Sequence, residues 1–120
     1  MRTTESPVER DKIRRPPVHP GVFFERNILR EFLAQRRKIG EIARLLGVSR
    51  QALHRVMAGQ SAVTPDMAVR LGKLCGNGPD LWLNLQARYD AWEATHRLAE
   101  ELTKIPTLRE DLDHAQARFR

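Results

Sequence analysis

Arg50, Gln51, His54 and Arg55 have types and a spacing that suit one chemistry in particular. Arginine and glutamine can each offer paired hydrogen bonds to a base edge, and arginine or histidine can meet a phosphate. At offsets of one, four and five residues they share one face of a helix, and Leu53, Val56 and Met57 fall on the other. The polar face carries no carboxylate, whereas a merely solvated face usually mixes both signs. An ordinary helical hairpin is the rival account; the missing acids and the short turn described next favour nucleic-acid recognition. No comparable constellation suits catalysis. His19, His54, His96 and His114 are scattered, and with a single cysteine there is no Cys/His spacing for zinc. There is no glycine-rich phosphate loop and no nucleophile elbow, and Glu100 and Glu101, as helix neighbours, point apart. The expectation is a protein that is not an enzyme, with no metal and no cofactor.

The elements that position those side chains are equally short. Ile42, Ala43, Leu45 and Leu46 make an apolar stripe that ends at Gly47, where a helix would close in a left-handed turn. Val48 can plug the corner, and Ser49 is a good N-cap for the next helix. Gly59 stops that helix. The pattern is helix-turn-helix over about residues 39–58, its second helix exposed for a major groove.

Charge agrees with that placement. The chain has 120 residues and a net charge of +6, with hydrophobic residues at 41% and charged residues at 30%. Residues 21–59 hold eight Lys/Arg against three acids, while residues 98–120 hold four against five. The positive field therefore centres on the helix-turn-helix, as phosphate attraction requires. Cys75 is the sole cysteine, which excludes an internal disulfide. No apolar run approaches the length of a membrane span, and the N-terminus has no apolar secretory stretch. These features fit a cytoplasmic protein.

Three regions are expected. Residues 1–20, rich in proline and charge, read as a flexible basic arm. Residues 21–97 read as the DNA-binding domain. A first helix spans Gly21 to Lys38, with Phe24, Ile28, Leu29, Phe32 and Leu33 as its apolar stripe, and Arg36, Arg37 and Lys38 closing it at the negative end of its dipole. Those three cations are candidate phosphate contacts. Thr64-Pro65-Asp66 opens another helix, Gly76-Asn77-Gly78-Pro79 breaks the chain, and Asp80 caps a helix from Leu81 to about Arg97. That last helix carries Trp82, Leu85, Tyr89 and Trp92 at helical spacing. The default for such a stripe is core, and the sharper alternative is a homodimer interface. Residues 98–120 form an acidic-leaning extension, with a capping-box pattern at Thr107-Leu108-Arg109-Glu110 that suggests a short helix to about Arg118. No strand pattern occurs, so the fold class is all-α.

With these residues in hand, the chain resembles the HigA-like antitoxins of the Cro/C1-type (XRE) helix-turn-helix class. The resemblance covers about residues 18–97. It rests on Val18-His19-Pro20-Gly21, on Leu46-Gly47-Val48-Ser49-Arg50-Gln51, on Val63-Thr64-Pro65-Asp66-Met67-Ala68-Val69-Arg70-Leu71, and above all on Leu81-Trp82-Leu83-Asn84-Leu85-Gln86-Ala87-Arg88-Tyr89-Asp90-Ala91-Trp92-Glu93. It implies a five-helix, lambda-repressor-like domain with an additional C-terminal helix, which dimerises on operator DNA and represses its own operon. It also implies a partner, a small basic HigB-like ribonuclease toxin held inactive by complex formation. By position it makes Arg50, Gln51 and Arg55 the base readers, and Ser49 a helix cap or phosphate contact. His54 is either a phosphate contact or a solvated histidine. Many relatives begin the first helix of the motif with a phosphate-contacting glutamine. Here Ile39 stands there, followed by Gly40. A stand-alone regulator without a toxin and a protein-interaction module are the alternative functions.

Overall fold

The computed structural model describes residues 16–109. Among them every regular element is helical: α1 (Pro20–Phe24), a π-helical turn (Glu25–Leu29), α2 (Arg30–Ala34), α3 (Ile39–Leu46), α4 (Arg50–Met57), α5 (Pro65–Cys75), α6 (Pro79–Arg97) and α7 (Ala99–Thr103). The all-α expectation is met, and the helix-turn-helix is α3–α4. Most of the basic arm and the proposed helix beyond Thr107 lie outside the described residues. Thr107, Leu108 and Arg109 themselves are not helical.

The first helix departs from the expected Gly21–Lys38 span in two ways. It contains the π turn, in which residues five apart line up. Phe24 and Leu29 are therefore both buried, while Leu33 is exposed. It also ends at Ala34. Arg36 adopts a left-handed conformation (φ 66°). The Arg36 amide bonds Leu33 O at 3.0 Å and the Arg37 amide bonds Phe32 O at 3.2 Å, the wrap-around closure of a helix C-terminus. Arg36, Arg37 and Lys38 consequently lie beyond the helix rather than in its last turn.

The other boundaries follow single residues. Gly47 closes α3 at φ 75°, with the Val48 amide reaching back to Ala43 O at 3.0 Å. Ser49 Oγ accepts the Ala52 amide at 3.0 Å, and Thr64 Oγ1 accepts the Met67 amide at 3.2 Å. Asp80 is not the cap of α6. Gly78 holds that place, because Pro79 takes the first helical position and puts Asp80 inside the first turn.

The core is centred on Trp82, which is 0% exposed. Its indole meets Phe23 and Phe24 edge-on, with ring centroids 5.9 and 6.2 Å apart, and its N–H donates to Asn77 Oδ1 at 3.0 Å. Around it pack Ile42, Leu53, Val63, Ala68 and Leu71. Trp82 is thus spent on the single chain's interior, which removes it from the candidate dimer contacts. Gln86 is a buried polar tie: its Oε1 accepts the Val63 amide at 2.7 Å and its amide donates to Asp90 at 2.8 Å. Both of its ends are satisfied, as burial demands.

Candidate nucleic-acid interface

Recognition depends on how α4 is held. Leu53, Val56 and Met57 are buried and anchor it, while Arg50, Gln51, His54 and Arg55 are all exposed. At about 100° per residue these four span roughly 140° of the helix circumference. From behind, α1 supports α4 by direct backbone contact. A Cβ placed on Gly21 would lie 1.8 Å from Val56 O and 2.5 Å from Val56 C, so only glycine permits this approach.

His19 fixes the start of α1 and is buried. Its Nδ1 accepts the Gly21 amide at 2.9 Å, and its ring stands edge-on to Tyr89 at 5.1 Å. Burial lowers its pKa below the usual 6.5, against the opposing pull of Asp90, a hydrogen bond to the Ser61 backbone, and Glu93. The folded state thus disfavours the proton that the unfolded chain accepts at pH 6.5. This contribution to stability is present above pH 6.5 and is lost as pH falls through the lowered folded value. Protonation would also turn Nδ1 from acceptor to donor and break the cap. Between pH 7.5 and 5, wild-type melting temperature is expected to fall further than that of a His19→Asn variant; parallel curves would deny His19 this role.

The cations around α4 separate into two sets. Arg36, Lys38 and Arg50 line one open recess of about 400 Å³ together with Ile39, Gly40, Glu41 and Arg44. A base-reading candidate and two phosphate candidates therefore share one surface, and Arg44, which the sequence reading passed over, joins them. Arg37 does not: it donates to Glu41 at 2.7 Å and borders a different, apolar recess with Phe32, Gln35, Ile42, Leu45 and Leu74. Of the three consecutive cations, the middle one has its charge offset within the chain. The amino end of α3 opens into the same basic recess. Lys38 provides no side-chain cap there, and among the described residues nothing crowds a Cβ on Gly40 within 4 Å. The unbonded amides of a first helical turn are donors to an anion.

Among the other dimer candidates, Leu85 packs partly on the core and Tyr89 rests on His19. Trp92 lies between Tyr89 and His96, at centroid distances of 6.1 and 4.6 Å, and its Nε1–H is buried with no hydrogen-bond partner among the described residues. No group of three or more His, Cys, Asp or Glu is arranged to hold a metal among the described residues. Burial raises the Cys75 thiol to about 11, helped by Glu31, so it is protonated and unreactive at neutral pH. No described helix is long and apolar enough to cross a membrane.

The chain is similar in sequence and fold to known proteins. A family described as a helix-turn-helix domain matches residues 28–83. YbaQ of Escherichia coli, described as an uncharacterized HTH-type transcriptional regulator, is 40% identical over 83 residues, which cover 68% of this chain and 74% of that protein. Antitoxin HigA-1 of Vibrio cholerae is 28% identical over 97 residues, covering 81% and 89% of the two chains. The structure of Pseudomonas aeruginosa antitoxin HigA with the higBA promoter superimposes with a TM-score of 0.69 at 29% identity, covering 77% of this chain and 98% of that one. By its fold, its turn residues and these relatives, the chain belongs to the helix-turn-helix regulator family that includes the HigA-like antitoxins.

Proposed function

We propose that this chain is the antitoxin of a toxin–antitoxin pair, a cytoplasmic repressor that binds its own operator as a dimer and neutralises a small basic ribonuclease toxin. One observation carries the DNA-binding part: the acid-free exposed face of α4 is continuous, through Arg50, with the recess of Arg36, Lys38 and Arg44. Arg50, Gln51 and Arg55 read base edges from α4. Arg36, Lys38, Arg44 and the first amides of α3 hold the flanking phosphate backbone, and Ser49 caps the recognition helix. His54 lies on the same face and adds a phosphate contact. Two such units related by a two-fold axis would enter successive major grooves about 34 Å apart. Dimerisation through Leu85, Tyr89 and Trp92 would supply that axis, and the solved complex of Pseudomonas HigA with its promoter supports the DNA mode. The domain spans residues 21–97, flanked by a basic arm and an acidic extension that complements a basic toxin.

The test is fluorescence anisotropy on DNA from upstream of the chain's own gene. With three cations contacting phosphate in each of two subunits, affinity is expected to fall about 10³-fold between 50 and 200 mM salt. Salt-insensitive binding, or none, would refute DNA recognition. Co-purification with the product of the adjacent gene, and loss of that product's ribonuclease activity in the complex, would establish the toxin pairing; a stand-alone regulator would show neither.

A further inference from the structure

Arg70 stands on α5, outside the helix-turn-helix, and is exposed. Its Nη1 nonetheless reaches the turn and donates to Leu46 O at 2.8 Å. Leu46 is the last residue of α3, so its carbonyl is one of those a helix leaves without an internal partner. The two amides that follow are already committed, Gly47 N–H to Arg44 O and Val48 N–H to Ala43 O. The guanidinium therefore supplies the carbonyl's bond and places positive charge at the negative end of the α3 dipole. It also lies against Gly47, where an added Cβ would sit 2.5 Å from Nη1.

What surrounds this bond gives it leverage. Behind the turn lies an open recess of about 550 Å³ lined by Leu45, Leu46, Val69, Arg70, Lys73 and Leu74. Leu45 and Val69 are 55% and 58% exposed, so this side of the α3 terminus is not packed into the core. Only Gly47, Val48 and the cap Ser49 separate α3 from α4. A small change in the direction in which α3 ends is passed straight to the axis of α4, and with it to Arg50, Gln51 and Arg55.

We infer that Arg70 is a positioning residue for base recognition, a brace from α5 that fixes the angle of the helix-turn-helix without touching DNA. This rests on the DNA-reading function proposed above, and it makes three demands. Arg70→Met, which keeps the aliphatic stem, should cut the ratio of operator to random-sequence affinity about tenfold, with the melting temperature nearly unchanged. Arg70→Lys, which can still donate to Leu46 O, should recover part of the loss. The salt slope of binding to random DNA should be the same for Arg70→Met as for wild type.

Amide hydrogen exchange supplies a readout free of DNA. In Arg70→Met the amides of Gly47 to Leu53 should exchange faster, while those of α6 do not change. A wild-type protein with no operator preference would defeat the DNA-reading proposal and leave this exchange result to judge the brace. A salt slope lowered by about one per subunit would identify Arg70 as a phosphate contact and overturn the inference. Unchanged exchange, or an unchanged affinity ratio in a protein that does prefer its operator, would overturn it as well.

Discussion

Replacing Arg50 and Gln51 together by alanine is expected to erase the chain's preference for its operator while leaving the fold intact. Each side chain can form two hydrogen bonds with one base, and each such pair discriminates by about 1–3 kcal/mol. Losing both costs roughly 2–6 kcal/mol per recognition helix, or about 30- to 20,000-fold in the specificity ratio. The fold has little stake in either residue. Both are exposed, Arg50 forms no ion pair among the described residues, and the cap of α4 belongs to Ser49. Arg50 even sits at the positive end of the helix dipole, where a cation is mildly unfavourable. The melting temperature should therefore stay within about 3 °C of wild type. Anisotropy on operator and random DNA, with a thermal melt of each protein, decides the matter. Equal loss on both DNAs would mean that Arg50 is only a charge, and unfolding would mean that it is structural.

The second large effect is conformational. Gly21→Ala would drive a methyl group into the backbone of Val56, at 1.8 Å from its carbonyl oxygen and 2.5 Å from its carbonyl carbon. Backbone cannot rotate aside as a side chain can, so α1 and α4 must separate. A cost of about 3 kcal/mol is expected for overpacking of this kind, and a melting temperature lower by more than 10 °C. Gly40→Ala is the control. No described residue crowds a Cβ at that position, and alanine suits a helix better by about 0.5–1 kcal/mol. The same substitution should thus stabilise slightly at residue 40 and destabilise strongly at residue 21. If the two variants melt alike, the α1–α4 contact is looser than described.

The parts of the molecule that were legible in the sequence are those where one residue type answers one local demand. Gly47 ends a helix in a conformation that other residues resist, Ser49 and Thr64 accept first-turn amides, and Pro65 fills a position that needs no donor. The polar face of α4 was legible for the same reason, since helical periodicity alone puts its four residues together. What stayed hidden depends on partners distant in the chain. Nothing local to Gly21 reveals Val56, nothing beside Arg70 reveals Leu46, and Trp82 and Trp92 look alike in a periodic stripe although the fold buries one completely. Arg36 hid for another reason: it takes a backbone conformation that its residue type disfavours, so its identity argues against the turn it makes. The split of Arg37 from Arg36 and Lys38 is likewise a matter of one ion pair that spacing did not reveal.

The π-helical turn at Glu25–Leu29 acts as a phase shifter. One surplus residue in a helix rotates everything beyond it by about 100° relative to everything before it. In this chain the part before the turn faces Trp82 and Val56 through Phe24 and Gly21, and the part beyond it brings Phe32 alongside Ile42 and Leu74. A single straight cylinder could not satisfy both audiences with this order of side chains. Removing one residue from the turn would leave a better helix and a worse protein, because either the face that seats the recognition helix or the face that meets α3 and α5 would be turned toward water.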